Sequence, residues 1–483
     1  MARPRKIPTE THDNWVLMDA KRDYPSLECL GKETVAQLEG RVRKLMAFEE
    51  EGKVPYRAVE AVEKWITGAS HFEKRGINNG PDGSKKRKIY FVDQWEGNSM
   101  IIVKEGREPI TEGFHLIMTH SDTPHVRIKP RGARLEWSQD RVYHYLGLRL
   151  SGIIRGGLSV HHWLGHQVDI IGYISTKQGK RGIQFPGVIG DFSGHVDTRE
   201  SEEVRDAFKK ETLVEVITGH GSVAEFLKRL ELNSLDELSQ ASLYAVPRNS
   251  VLPIDEYNWR LLAGYGHDDK ACTFSAVDAL IHARNPKYTS IVWITDREEV
   301  GDTSPGGAEG NLFDGVIDYL VDKQAEKTST EINERQIRRL LRRSSVLIGD
   351  VDIAPYGPDW EKMDAESAPK VGFGAYISGD ELESSPPSFV RCLRELALRG
   401  KGKGQNLCHQ ISGTFYSQDD FDLWMSGSSG KDRLLSRVGQ YAWVGIPCAS
   451  AHTHNEIICP ADEYWTCRLY RRFLESDAQF GRE

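Results

Sequence analysis

Short apolar runs alternate with amphipathic stretches along much of the chain. Runs of consecutive apolar residues predict four buried strands, at 115–119, 290–295, 345–348 and 441–445. Apolar residues at helical spacing predict four helices, at 34–50, 270–283, 312–323 and 388–398. Strands that alternate with helices are typical of an α/β fold, in which helices cover a mostly parallel sheet. We therefore expect this architecture for most of the chain.

The segment from about 132 to 251 has a different pattern. It contains a β-like run at 168–174, a glycine pair at 156–157 and a charged stretch at 201–218 with helical character. We interpret this segment as an inserted, smaller, β-rich domain. The rest of the chain then forms one discontinuous α/β domain from two segments, 1–131 and 252–483.

Composition excludes several classes of protein. Of the 483 residues, 39% are hydrophobic and 28% are charged, and the formal net charge of -8 mixes both signs along the chain. Nucleic-acid binders usually carry a basic stripe, so we expect no nucleic-acid partner. The chain has no run of eighteen apolar residues and no apolar signal-peptide core, so we expect no membrane partner. Its seven cysteines form no C-x-x-C pair, which indicates free thiols in the cytoplasm.

Side chains of the kind that bind metals follow apolar runs or open a helix at five places. They are His120 and Asp122, Asp268 and Asp269, Glu298 and Glu299, Asp350 and Asp352, and His452 and His454. Ligands gather at the carboxyl ends of strands in open α/β sheets, so these side chains could meet at one edge. Two imidazoles with several carboxylates suit zinc, with cobalt or manganese as alternatives. A two-metal site also needs a bridging carboxylate and an unbound carboxylate that accepts a proton.

Each pair also has an ordinary structural explanation when it is taken alone. Two aspartates at a helix start can cap the helix and interact with its dipole. Asp350 and Asp352 could be turn residues before Pro355, and Glu298 and Glu299 could lie in a solvated loop. The occurrence of all five clusters together favours a metal centre. A G-x-S-x-G motif and a P-loop are both absent from the sequence, which argues against serine hydrolases and nucleotide-binding enzymes.

The order of these motifs resembles the aspartyl aminopeptidase and vacuolar aminopeptidase family of metallopeptidases. The family's His-x-Asp-x-Pro occurs here at 120–124 and its Glu-Glu-Val-Gly at 298–301. Three further segments resemble its other motifs, at 268–269, 350–354 and 452–456. The resemblance extends from about residue 15 to 475. It implies an enzyme that removes the amino-terminal residue from peptides.

The resemblance also implies a role for individual residues. Two divalent ions are expected, one held by His120, Asp268 and Asp352, and the other by Asp268, Glu299 and His452. Asp268 would bridge them, Glu298 would be the general base, and Asp122 would orient His120. His195, in the inserted domain, is a further active-site candidate. Alternatives stay open at three ligand positions: Asp350 in place of Asp352, His454 in place of His452, and His267 in place of Asp268.

For the assembly, the resemblance implies that the inserted domain dimerises and that dimers form a tetrahedral dodecamer. The sequence departs from the family at 163–167, where the family has Trp-Phe-Asp-Arg-Asp, and at 368–372, where a lysine is displaced. A preference for acidic amino-terminal residues therefore stays open. Two other functions also stay open, a related two-metal deacetylase or carboxypeptidase of the same fold and a non-catalytic assembly protein.

Overall fold

The structure is a computed structural model that describes most of the chain. It covers residues 25–30, 32–81, 83, 85–137, 144–151, 163–190, 215–218, 222–254, 260–357, 363–364, 366–379, 386–399, 406–413, 432–478 and 480. The predicted site residue His195, the glycine pair at 156–157 and most of the stretch 201–218 lie outside the described residues.

Helices and strands alternate along much of the described chain. The helices are α1 (Pro25–Glu28), α2 (Lys32–Glu51), α3 (Pro55–Ser70), α4 (Val223–Arg229), α5 (His267–His282), α6 (Leu312–Thr328), α7 (Glu334–Arg342), α8 (Pro387–Leu398), α9 (Asp432–Leu435) and α10 (Pro460–Leu474). The first ten strands are β1 (Glu73–Lys74), β2 (Lys88–Val92), β3 (Met100–Lys104), β4 (Phe114–His120), β5 (Val126–Trp137), β6 (His144–Ser151), β7 (Gln167–Thr176), β8 (Gly179–Ile189), β9 (Glu215–Ile217) and β10 (Ala241–Pro247). The remaining strands are β11 (Leu252–Pro253), β12 (Leu262–Gly264), β13 (Thr289–Thr295), β14 (Ser345–Ile348), β15 (Val351–Ile353), β16 (Ala375–Ser378), β17 (His409–Ser412), β18 (Gln440–Ala449) and β19 (Glu456–Ile458).

Thirteen strands of the described residues form one large mixed sheet. Its centre has the order β13-β4-β14-β18, and these four neighbours are parallel. The flanking strands β3 and β19 pair antiparallel with β13 and β18. The centre of the sheet is thus parallel, and further parallel pairs are β1–β2, β15–β18 and β16–β17. The predicted α/β class is confirmed.

Both faces of the central sheet are buried, because helices cover each of them. Leu116 and Met118 of β4 belong to the same buried cluster as α6 and α7. Ile117, between them, faces the opposite way into a cluster formed with α2, α3, α5, α8 and α10. Successive side chains of a strand point to opposite faces, so a strand covered on both sides is apolar throughout. This is why the central strands could be predicted from continuous apolar runs.

A second sheet closes into a six-stranded antiparallel barrel. Its strands have the order β10-β5-β6-β9-β8-β7, and β10 pairs with β7 to close it. Along β8 buried and exposed residues alternate, as expected for a wall with one face inward. Tyr56 of α3 donates a hydrogen bond to Gly172 O, 3.1 Å away, and Lys53 donates to Pro247 O and Asn249 O. The barrel is therefore fastened to the helices beside the large sheet.

Most elements predicted from the pattern coincide with elements of the structure. All four predicted strands and all four predicted helices lie within or overlap the elements β4, β13, β14, β18, α2, α5, α6 and α8. The helical prediction for 201–218 is wrong at its end, because Glu215–Ile217 is strand β9 between β6 and β8. The domain boundaries at 132 and 251 stay a prediction; the first falls within β5 and the second beyond β10.

Two further expectations concern the membrane and the cysteines. Among the described helices, none combines the length and the apolar character needed to cross a bilayer. All seven cysteines are described and all are free thiols, five of them buried. The expectation of free thiols is therefore confirmed.

Candidate metal centre

Five predicted clusters of acids and histidines meet at one edge of the large sheet. The parallel strands β13, β4, β14 and β18 all end there, so the residues that follow them are neighbours. His120 is the last residue of β4, and Glu298 and Glu299 form a short 3₁₀ turn just after β13. Asp350 follows β14 and His452 follows β18. The fifth cluster, Asp268 and Asp269, opens helix α5, which packs against β4.

The carboxylate of Asp268 lies between the two histidines of the cluster. Its Oδ1 is 3.3 Å from His120 Nε2, and its Oδ2 is 2.9 Å from His452 Nε2. Asp268 is only 4% exposed and His120 only 2% exposed. Burial opposes the charged form, but hydrogen bonds from both histidines lower the pKa of Asp268 below its usual value. One buried, ionised carboxylate is thus shared by two imidazoles.

The two adjacent glutamates face different histidines. Glu299 Oε2 is 3.6 Å from His452 Nε2, whereas Glu298 Oε2 is 3.9 Å from His120 Nε2. Burial raises the pKa of Glu299 well above its usual range. Both backbone N–H groups donate to Asp122, that of Glu298 to Oδ1 at 3.1 Å and that of Glu299 to Oδ2 at 3.2 Å. The 3₁₀ turn therefore aims the two side chains at different halves of the site.

Asp122 contacts the imidazole of the cluster as well as this turn. Its backbone oxygen is 2.9 Å from His120 Nδ1, and its carboxylate Oδ1 is 3.5 Å from the same nitrogen. With a proton on Nδ1, the lone pair of Nε2 would be available to a metal ion bound beside the carboxylates. Asp122 thus has the contacts expected of a residue that orients His120.

Asp350, and not Asp352, has its carboxylate beside His120. Asp350 Oδ1 is 3.4 Å from His120 Nε2, whereas Asp352 is absent from the two groups of described residues close enough to share a metal. The reason is register. Ile348 of β14 pairs with Met118 of β4, so two residues further on Asp350 comes level with His120. Asp352 lies within β15, opposite Pro447, and its Oδ1 accepts the N–H of Ile353 at 2.8 Å. These contacts favour Asp350 as the carboxylate beside His120, and Asp352 stays a sequence-based prediction.

The other histidines and acids next to the predicted ligands have different partners. His267 Nδ1 pairs with Glu49 Oε1 at 2.8 Å, and both residues are fully buried. The ring of His454 lies 4.5 Å from that of Trp163 and 3.8 Å from that of His166. Asp269 Oδ2 accepts the backbone N–H of His120 at 3.3 Å. These contacts favour His452 and Asp268 over their neighbours as metal-facing residues.

Glu456 is a site residue whose position the sequence did not predict. Its Oε2 accepts the N–H groups of Gly266 and Asp268, both at 3.1 Å, and its Oε1 accepts that of His452 at 2.9 Å. It is fully buried, and burial together with the charge of Asp268 raises its pKa to about 7. Glu456 thereby connects the segment of Asp268 to that of His452. The Glu of the late motif at 452–456 was the available signal.

The donor set fits divalent cations. Five carboxylates converge on a largely buried site, those of Asp122, Asp268, Glu298, Glu299 and Asp350. Buried anions are costly unless cations or hydrogen bonds compensate them. Among the described residues, no hydrogen-bond donor reaches Glu299 Oε1. Two groups lie within the mutual distance that a metal requires: His120, Asp268 and Glu299, and His120, Glu298 and Asp350. Imidazole and carboxylate are ligands that zinc binds well.

Comparison with known proteins assigns the family. The model described as aminopeptidase I zinc metalloprotease (M18) matches residues 48–474, which is most of the chain. The chain belongs to the M18 family. The family resemblance inferred from the motifs is thereby confirmed.

Individual M18 proteins resemble the chain over most of its length. It is 24% identical to a probable M18 family aminopeptidase 1 of Thermotoga neapolitana over 471 residues, 91% of this chain and 96% of that protein. The chain covers between 65% and 97% of the length of the curated M18 relatives compared with it. Two solved structures share the fold. An M18 aminopeptidase from Thermotoga maritima has a TM-score of 0.77 at 20% identity, covering 95% of this chain and 100% of that one. The S. cerevisiae mApe1 dodecamer has a TM-score of 0.67 at 16% identity, covering 89% and 95%.

Proposed function

We propose that the chain is a metal-dependent aminopeptidase that hydrolyses the amino-terminal residue of peptides at a site for two divalent ions. Membership of the M18 family supports the reaction class. The observation that carries the two-ion site is the position of Asp268, which has one carboxylate oxygen beside each histidine. A two-metal site needs such a bridging carboxylate.

The proposed ligands combine the family resemblance with the contacts of Asp350 and Asp268. His120, Asp268 and Asp350 would hold one ion, and Asp268, Glu299 and His452 the other. Zinc is the expected metal because the family model describes a zinc metalloprotease, with cobalt and manganese as alternatives. His195 stays a proposed active-site residue on the family resemblance alone.

Glu298 is the proposed general base. Its carboxylate is 3.9 Å from His120 Nε2, further than the 3.3 Å of Asp268 and the 3.4 Å of Asp350. A carboxylate at the margin of the ligand set can take a proton from water and pass it to the leaving amine. The bound ions would supply Lewis-acid chemistry, which makes water acidic enough to lose a proton near neutral pH. Asp122 holds the two N–H groups of the glutamate turn and therefore keeps Glu298 aimed at the reacting water.

The decisive experiment compares Glu298→Gln with Glu299→Gln. Glu298→Gln keeps the size of the side chain and should keep both ions, but kcat should fall at least about 100-fold, the low end of general-base contributions. Glu299→Gln should lose affinity for one ion and regain activity in part with excess metal. Elemental analysis and kinetics on aminoacyl-anilides measure both effects. A Glu298→Gln protein with two ions and normal kcat would show that the base lies elsewhere.

The rival functions predict other substrate profiles. A deacetylase of the same fold would cleave N-acylated substrates, and a carboxypeptidase would remove the residue at the opposite end. A non-catalytic assembly protein would cleave none of them. We expect hydrolysis only of substrates with a free amino terminus, lost on chelation and restored by zinc or cobalt. Hydrolysis confined to an N-acetylated peptide would contradict the proposal.

The proposed assembly is a homo-oligomer of dimers, up to a tetrahedral dodecamer, with contacts from the inserted segment 132–251. The dodecamer of the structurally similar S. cerevisiae mApe1 supports it. We also propose a cytoplasmic location, which the free cysteines support.

A further inference from the structure

A cavity of about 410 Å³ lies where the barrel meets the loop that carries His452. Three segments form it: the start of β7, the residues after β10, and the loop between β18 and β19. Its polar lining consists of His166, Gln167, Arg248, Asn249, His454 and Asn455. The volume is in the range of small-molecule binding sites in proteins.

Contacts between the three segments hold the walls of this cavity in place. Arg248 donates its backbone N–H to Gln167 O at 3.1 Å. Asn249 Nδ2 donates to His454 O at 2.7 Å. Lys53, which is only 5% exposed, donates to Asn249 O at 3.0 Å and so fixes the backbone of Asn249. The cavity is therefore preformed and does not need a ligand to assemble it.

Arg248 is the one arginine or lysine among the described residues that line the cavity. None of the described residues that line the cavity has a carboxylate. The side chain of Arg248 is 53% exposed, and its Nε lies 3.7 Å from Asp169 Oδ1. Among the described residues no hydrogen-bond acceptor reaches its terminal amino groups. Guanidinium amino groups beside amides and imidazoles match a carboxylate, which guanidinium binds in bidentate geometry.

The wall of the cavity is close in sequence to the metal centre. His454, in its wall, is two residues from His452, whose Nε2 is 2.9 Å from Asp268. Two residues of chain span at most about 7 Å, and a tripeptide extends over about 10 Å. A peptide with its amino-terminal residue at the metals could therefore place its other end near Arg248.

We propose that this cavity binds the terminal carboxylate of short peptides and makes the enzyme prefer a tripeptide with a free carboxyl end to the same tripeptide as its amide. The inference rests on the proposed aminopeptidase function, because it needs a substrate held at the metal centre. Arg248 is its specificity-determining residue. Asn249 donates to Asn455 Oδ1 at 3.2 Å and so positions the amide of Asn455 at the rim.

The test compares three substrates with the same amino-terminal residue. They are a tripeptide with a free carboxylate, the same tripeptide as its carboxyl-terminal amide, and an aminoacyl-anilide. For the wild-type protein, kcat/KM should be about tenfold higher for the free acid than for the amide, which corresponds to about 1.4 kcal/mol. The difference should appear mainly in KM, because binding at a distance from the reacting bond acts equally on ground and transition states.

Arg248→Gln should lower kcat/KM for the free acid to the value for the amide. The kcat/KM values for the amide and the anilide should stay unchanged. Arg338→Gln is the matched control, because Arg338 is also exposed and paired with one carboxylate, at 3.2 Å, but lies on α7 and not at the cavity. Equal rates for acid and amide in the wild-type protein, with the anilide cleaved normally, would overturn the subsite alone. An Arg248→Gln enzyme that still prefers the acid would do the same. Failure to cleave any of the three substrates would overturn the proposed function itself and this inference with it.

Discussion

Removing the carboxylate of Asp350 should cost the site most of its affinity for one ion, whereas the same change at Asp352 should not. Asp350→Asn keeps the shape of the side chain and removes its charge. Asp352→Asn is the matched control, two residues away in the same segment. The sequence favoured Asp352 and the contacts favour Asp350, so the two variants test the register of β14 against β4 directly.

The magnitude follows from the contacts of each residue. Asp350 Oδ1 is 3.4 Å from His120 Nε2, within the distance at which one ion can touch both. Even groups that only orient a ligand cost about 10–100-fold in metal affinity when they are lost. We therefore expect a loss of at least about 100-fold, or about 2.7 kcal/mol, for Asp350→Asn. Asp352 Oδ1 accepts the N–H of Ile353, and the amide oxygen of asparagine can accept the same hydrogen bond. We therefore expect Asp352→Asn to lower metal affinity by less than about tenfold.

Titration with zinc in competition with a fluorescent chelator measures the affinities, and elemental analysis gives the number of ions retained. Circular dichroism checks that both variants are folded. The register argument is refuted if Asp352→Asn loses an ion while Asp350→Asn keeps both with wild-type affinity.

Three further outcomes are expected. Glu456→Gln replaces an oxygen that accepts backbone N–H groups with an amino group, so the free energy of unfolding should fall by about 1.5–3 kcal/mol in urea denaturation; unchanged stability would contradict this. Burial raises the pKa of Asp462 to about 7, so the folded state binds more protons than the unfolded state and stability should fall as pH rises from about 4 to 7. In thermal melts, the Tm of Asp462→Asn should fall less steeply than the wild-type Tm as pH rises over that window. Equal slopes of Tm against pH would contradict this prediction. Deleting 132–251 should give smaller species with little activity by sedimentation and kinetics, whereas a fully active wild-type monomer would disprove the assembly proposal.

The elements that could be predicted are those whose burial leaves a mark in the local sequence. Strand β14 is buried at every position, and its apolar run predicted its bounds. Helix α10 was not predicted, although Pro460 at its start and Asp462 and Glu463 in its first turn are ordinary helix-start signals. The closed barrel is different in kind. Its closure depends on β10 pairing with both β5 and β7, and no local pattern encodes a pairing between strands so far apart in sequence.

In the candidate site too, features with a local sequence signal could be predicted and features that depend on tertiary pairing could not. The residue types and their order predicted which segments meet, because each follows a strand or opens a helix at the same edge of the sheet. The choice between Asp350 and Asp352 required the register between β14 and β4, a tertiary property. The role of Glu456 depends on backbone N–H groups of residues 266, 268 and 452, which have no signature in side-chain type.

The position of Asp268 between His120 and His452 has a consequence for how the two proposed ions would load. Each ion would neutralise charge on a carboxylate that the other also uses, and each would fix the orientation that the other needs. Occupancy of one half therefore changes the affinity of the other half, and linkage makes the change equal in both directions. If the coupling is favourable, the protein passes from empty to doubly loaded over a narrow range of free metal, with little of the one-ion form. The enzyme would then respond to metal supply in a nearly all-or-none manner, through a single shared side chain.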